Sequence, residues 1–182
     1  VPLAIELYFD EPAEESVRTA WGALEHAGIP VLPKQRGFDY RPHITLAVCE
    51  PADPERMVAT LGSIASDLDI RVVLSGAGFF VDAERLIAFL TVTQSEELLH
   101  VHRLVTDALQ AADRPRPHYA RGAWTPHCTL PFEGSADDII DVLREEASLP
   151  ISATVSGMHL IDLETERLIA KLDRATTVPV GP

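Results

Sequence analysis

The chain reads RPHITLAV at 41–48 and WTPHCTLPF at 124–132, so Pro-His-x-Thr-Leu is written twice, its histidines offset by 84 from position 43 to position 127. His-x-Thr alone is a common accident of composition, whereas repetition of the five-residue pattern asks for a physical cause. In a strand, residues i and i+2 share a face. His43 and Thr45 therefore project together, with Ile44, Leu46 and Val48 opposite. In the second copy His127 and Thr129 project together, with Cys128, Leu130 and Phe132 opposite. Each strand hides an apolar face and presents one imidazole beside one hydroxyl. Pro42 and Pro126 suit a strand's first position, where no ladder N–H is needed, and hold Arg41 and Thr125 extended.

Two further markers repeat in the same order. ERLIAFL at 84–90 returns as ERLIAKL at 166–172, and the Ser-Gly of VLSGAGFF (73–80) returns in TVSGMHLI (154–161). Three markers at nearly one offset indicate related halves, approximately 1–83 and 84–172, within one domain of 1–182. The periodicities agree. Strands are predicted at 3–9, 43–48, 70–74, 78–81, 85–92, 127–132, 151–162 and 166–172. Helices are predicted at about 12–27, from Asp53-Pro54 onward, at 95–112 and at 136–147, with Ser95 and Ser135 as caps. The expected fold is α+β and bilobal: two pseudo-two-fold-related lobes, each a small antiparallel sheet backed by helices, with one central cleft.

Hydrophobic residues make up 46% of the 182 and charged residues 24%, the composition of an ordinary globular protein with a real core. No apolar run approaches a membrane span, and Glu6 and Asp10 interrupt the apolar start that a signal peptide would need. Two cysteines, Cys49 and Cys128, are too few for a disulfide scaffold, and a cytoplasmic monomer is expected. A net charge of −13 argues against wrapping long nucleic acid but leaves room for a small anionic substrate.

Two histidines meeting across a cleft suit phosphodiester cleavage without metal or other cofactor. One neutral imidazole takes a proton from the attacking oxygen and one imidazolium protonates the leaving oxygen. The threonine hydroxyls would bind the non-bridging oxygens. The windows KQRGFDYR (34–41) and RPRPHYAR (114–121) run into the motif strands and hold Lys34, Arg36, Arg41, Arg114, Arg116 and Arg121, six of the 15 basic residues. Only Asp39 opposes them. Positive charge at both approaches fits an anionic substrate, and Phe38, Tyr40, Tyr119 and Trp124 could stack on a base. Arg41, Arg121, Tyr40, Tyr119, Trp124 and His118 are the candidate substrate-binding residues.

On RPHITL and TPHCTL within a duplicated α+β chain of this size, the sequence resembles the two-histidine (2H) phosphoesterases, and among them bacterial 2′-5′ RNA ligase-like and cyclic phosphodiesterase proteins. The likeness runs over nearly the whole chain, with no departure at either motif. It implies a metal-independent site with His43 and His127 as the catalytic pair and Thr45 and Thr129 as phosphate-binding hydroxyls. It implies a small nucleotide or RNA end carrying a cyclic or 2′-linked phosphate as substrate, opened or joined at that linkage. The alternative function is a nucleotide-binding sensor or scaffold using the same cleft without catalysis.

Other chemistry-bearing residues have simpler readings. His100 and His102 do not share a helix face, and His102 lies on the apolar stripe with Leu98 and Val105, as a core or boundary histidine does. His26 suits a helix C-terminus, and Asp137 and Asp138 a helix N-terminus. His159 is expected to pack or be exposed. Cys128 matches Ile44 as a small core residue, and Cys49 has no evident base nearby. SGAGFF lacks the Lys-Ser/Thr of a phosphate loop and is expected to be a turn between strands.

Overall fold

The run LAIELYF forms β1 (Leu3–Phe9), and all seven residues are buried. Leu3, Ile5, Leu7 and Phe9 enter the main core, while Ala4, Glu6 and Tyr8 line a cleft on the other face. In the computed structural model, residues 1–32, 40–81, 86–173 and 176–179 are described. After β1 come α1 (Glu11–His26), β2 (His43–Cys49), α2 (Pro54–Ala65), β3 (Arg71–Val81) and β4 (Leu86–Val92). Then follow α3 (Glu96–Ala108), β5 (His127–Thr129), α4 (Ala136–Glu146), β6 (Ile151–Asp162), β7 (Arg167–Asp173) and β8 (Thr176–Pro179). Asp10, Asp53, Ser95 and Ser135 each cap a helix by accepting the backbone N–H three residues on, a contact typically worth about 1 kcal/mol.

All strand pairs among the described residues are antiparallel. The sheet order is β2-β1-β6-β3-β4-β5, with β7 added to β6 and β8 to β7. The elements run β-α-β-α-β twice, yet the packing units do not coincide with the sequence repeats 1–83 and 84–172. The third strand of each half pairs with the first strand of the other, β6 with β1 and β3 with β4. Exchanging the halves (β1 for β4, β2 for β5, β3 for β6) leaves the six-strand order unchanged when read backwards. That is the order a two-fold axis through the β3·β6 pair produces. Helices α2 and α3 pack on each other and against β2, β3, β6 and β7, and α1 and α4 on each other and against β6 and β4.

The repeated Ser-Gly pairs mark where the long strands change neighbours. β3 pairs with β6 over Arg71–Leu74 and with β4 beyond it, the register slipping at Ser75. β6 pairs with β3 over Ile151–Thr154 and with β1 from Val155 onward, slipping at Ser156. A bulge re-aims the strand at each point. The Ser156 hydroxyl donates to the freed Phe9 and Tyr8 carbonyls at 2.8 and 3.3 Å. SGAGFF is therefore part of one bulged strand, not a turn between two. A Cβ at Gly78 would lie 2.6 Å from the Phe89 ring, so a larger residue there would have to displace that ring.

Two other predicted bounds shift. β5 stops at Thr129 instead of 132, since Pro131 has no N–H to extend the ladder. Helix α3 ends at Ala108 because the next segment is gathered by Asp113. That carboxylate is fully buried and accepts the N–H groups of Gln110 and Ala52 at 2.8 and 3.1 Å and the Arg56 guanidinium at 2.6 Å. Burial pushes the Asp113 carboxyl up, but the bonds from Gln110, Arg56 and Ala52 outweigh it and hold the group below its ordinary range. A depressed pKa stabilises the fold above the unfolded value of about 4 and loses that contribution as pH falls through the folded value. Asp113→Asn is expected to be less stable than the parent at pH 7. The gap in urea midpoint should close as the pH is lowered into that acidic window.

Candidate active site

The two motif strands lie at opposite ends of the strand order, yet β2 and β5 meet where the sheet folds over. The His43 backbone lies near the Cys128 side chain. From the segment before β5, Trp124 Nε1 donates to the Thr45 carbonyl at 3.0 Å. The imidazoles are anchored alike. His43 Nδ1 lies 2.7 Å from the Arg41 carbonyl, and His127 Nδ1 lies 2.7 Å from the Thr125 carbonyl. A carbonyl only accepts, so each Nδ1 carries the proton, and in a neutral ring Nε2 holds the lone pair.

A cleft of about 500 Å³ runs along this junction. Its walls include Glu6 and Tyr8 of β1, Tyr40 and Arg41 before β2, His43 and Thr45 of β2, Arg116 and Tyr119, and Thr129 of β5. His127, two residues before Thr129 on its strand, stands beside the cleft against the rings of Phe80 and Phe89, at centroid distances of 4.8 and 5.2 Å. Burial pushes the His127 imidazole below its ordinary range. Its bond to Thr125 opposes the shift, and the charges of His43 and His118 reinforce it.

Each cleft threonine meets a tyrosine from the other half of the chain. Tyr40 and Thr129 line the cleft together, as do Tyr119 and Thr45. Burial raises both phenols, so each stays protonated at neutral pH. Tyr40 also stacks on Trp21 and meets the His43 ring edge-on at 5.3 Å. Val48, expected behind the strand with Ile44 and Leu46, faces the cleft instead. Leu46 is an extra residue opposite the Ile5–Glu6 step, and one such residue reverses the alternation beyond it. Val48 joins Ala4 and Ile161 in a small apolar shelf beside Tyr119.

The candidate binding residues divide. Arg41 lines the cleft, but its guanidinium also grips the Glu14 carboxylate at 2.7–3.1 Å and lies over the Tyr8 ring. Arg121 turns away from the cleft to Asp107 and Thr106 on α3. Arg116 lines the cleft in its place. Trp124 is no stacking platform: it is buried, with its ring parallel to His102 at 4.0 Å. His118 is exposed beside Tyr119. Lys34, Arg36, Phe38 and Asp39 lie outside the described residues. His102 is the satisfied buried histidine expected, its Nε2 2.9 Å from the Tyr119 carbonyl. His159 packs against the Tyr8 ring at 4.2 Å with the planes tilted, and burial pushes the Cys128 thiol up to about 12. Among the described residues, no group of three or more His, Cys, Asp or Glu side chains could hold a metal ion. None of the described helices is long and apolar enough to cross a membrane.

Glu6 is the site residue that motif reading misses. It is 5% exposed, accepts the Tyr8 hydroxyl at 2.6 Å and places its other oxygen 3.4 Å from His43 Nε2. Its one signal is a carboxylate amid an apolar strand, two residues from a tyrosine on the same face. Burial, then the charge and bond of Glu6, raise the Tyr8 phenol far above its ordinary range, so it remains a donor to that carboxylate.

The sequence profile of the 2′-5′ RNA ligase superfamily matches residues 10–167, and the chain belongs to this family of 2H phosphoesterases, phosphodiesterase-type enzymes. No curated protein sequence matches the chain. Among solved structures it is similar to TT0787 of Thermus thermophilus, at 16% identity and a TM-score of 0.61 over 94% of this chain and 96% of that one. Escherichia coli LigT with NADP+ is similar at 18% identity and a TM-score of 0.57, covering 92% and 93% of the two chains. Usb1 of Kluyveromyces marxianus is similar at 15% identity and a TM-score of 0.56, covering 94% and 97%. At such identities the structural likeness establishes the α+β fold.

Proposed function

We propose that the protein opens a cyclic phosphodiester, a 2′,3′-cyclic nucleotide or RNA 3′ end, or makes and cleaves 2′-5′ RNA linkages, by paired-histidine acid–base catalysis without metal. The observation that carries this reading is the matched anchoring of His43 and His127. Each gives Nδ1–H to the carbonyl two residues back and keeps Nε2 for chemistry, next to a threonine on the same strand face. Thr45 and Thr129 hold the non-bridging oxygens as charge grows on them. Arg41 and Arg116 supply positive charge at the cleft. The apolar shelf of Ala4, Val48 and Ile161 beside Tyr119 offers a base a surface to cover. Small nucleotides fit this size of cleft, and relatives hold them: LigT is known with NADP+ and 3′-AMP, and Usb1 with uridine monophosphate.

The test is a panel of nucleoside 2′,3′-cyclic phosphates and 2′-5′ dinucleotides, with products identified by phosphorus NMR in the presence of a chelator. The expected result is conversion to a phosphomonoester, or exchange at the 2′-5′ linkage, at a rate the chelator leaves unchanged. Saturable binding with no product across the panel would instead favour a sensor. A requirement for added divalent ion would overturn the metal-free mechanism.

A further inference from the structure

We propose that Glu6 makes the two histidines chemically unequal: it retains the proton on His43, which serves as general acid at the leaving oxygen, while His127 serves as general base. This rests on the phosphodiesterase reading above. His43 Nδ1 already donates to the Arg41 carbonyl, so a neutral ring would turn a lone pair at Nε2 toward Glu6, 3.4 Å away. The contact is attractive only when Nε2 bears a proton. Tyr8, donating to the far oxygen of Glu6 at 2.6 Å, fixes the carboxylate in place. At 3.4 Å the contact is longer than a good hydrogen bond, which leaves the Nε2 proton available to a substrate oxygen.

Nothing comparable faces His127 among the described residues. Its neighbours are the rings of Phe80 from β3 and Phe89 from β4, and the charged groups acting on it are His43 and His118, both of which disfavour a second positive charge. Around His43, by contrast, stand Glu6 and Tyr8 from β1, Tyr40 and Arg41 ahead of β2, and Cys128, Thr129 and His127 from the β5 side. Glu6 is the carboxylate among them.

The step balances as follows. The attacking oxygen, of water in hydrolysis, bonds to phosphorus as its proton passes to His127 Nε2. The bond from phosphorus to the leaving oxygen breaks, its electron pair staying on that oxygen, which takes the proton from His43 Nε2. The net change is addition of water across one P–O bond, and proton exchange with solvent resets the pair. The geometry thus orients the substrate: leaving oxygen toward β1, nucleophile toward Phe80 and Phe89. Glu6 acts through His43 as a positioning residue.

The test compares the parent with E6Q, E6D, H43A and H127A on a nucleoside 2′,3′-cyclic phosphate and on a 4-nitrophenyl ester of the same nucleotide. The nitrophenyl oxygen leaves without needing a proton. E6Q is expected to lose about 10- to 100-fold in kcat/KM on the cyclic phosphate, a part of the 10²–10⁴ that general acid catalysis supplies. Its alkaline pH limb should move to lower pH, and E6D should recover part of the loss. On the nitrophenyl ester E6Q should lose far less than on the cyclic phosphate, and H43A should be rescued while H127A is not. An equal loss of E6Q on both substrates, an unmoved alkaline limb, or rescue of H127A instead of H43A would overturn the assignment. Inactivity of the parent on both substrates and on the panel above would defeat the phosphodiesterase reading itself, a different outcome from any of these.

Discussion

His43→Ala and His127→Ala are each expected to lower turnover of the cyclic phosphate by about 10²–10⁴-fold while leaving the urea midpoint close to that of the parent. The magnitude follows from removing one proton-transfer partner. The stability expectation follows from where each ring sits: both are only partly buried at the junction, and each makes its Nδ1 bond to a carbonyl of its own strand's approach. Water can replace that bond when the ring is gone. In the proposed mechanism acid and base act in one step, so the double variant should lose little more than the worse single one. Additive losses would mean that the two histidines work in separate steps. Full activity in either single variant, measured as phosphate product per enzyme, would sink the paired mechanism.

The motif strands were legible because alternation is local. Given a strand, His43 and Thr45 must share a face, as must His127 and Thr129. Ser95, Ser135 and the Asp53-Pro54 helix start were equally legible, each being a side chain that serves its own helix, whereas the Asp10 cap was not read. Pairing is not local. Nothing in the period of VLSGAGFF or TVSGMHLI says that the strand changes partner midway, though the Ser-Gly pairs that accommodate the change are visible as a repeat. A bulge also defeats alternation from outside the strand's own pattern: the extra residue at Leu46 is defined only against Ile5 and Glu6, and it carries Val48 to the cleft. Long side chains on loops are harder still. Arg116 and Arg121 lie in one basic window, but one borders the cleft and the other binds Asp107, a choice made by the path of the segment around the short turn Pro117–Tyr119. The aromatic residues illustrate the same limit. Tyr40 and Tyr119 do reach the cleft, beside the threonines of the opposite half, while Trp124 is spent on holding the halves together.

That last role carries the largest expected effect on stability. Trp124 is 8% exposed, with its ring parallel to His102 on α3 and its Nε1–H on the Thr45 carbonyl of β2, while its own backbone leads into β5. One side chain therefore ties a helix and both motif strands. Trp124→Ala removes a buried aromatic and leaves a cavity, at a cost of about 3–5 kcal/mol. It also removes the donor to Thr45. Trp124→Phe keeps most of the volume and loses the hydrogen bond, so it should cost about 1–2 kcal/mol. Urea unfolding read by circular dichroism measures both. If Trp124 served a nucleobase, the phenylalanine variant would show a raised KM with unchanged stability. If it is the tie between β2 and β5, that variant should be less stable, and its kcat should fall more than its KM rises. The reason is geometric: Thr45 and His43 share β2, and a shift of β2 against β5 misplaces His43 relative to His127 before it disturbs any substrate contact.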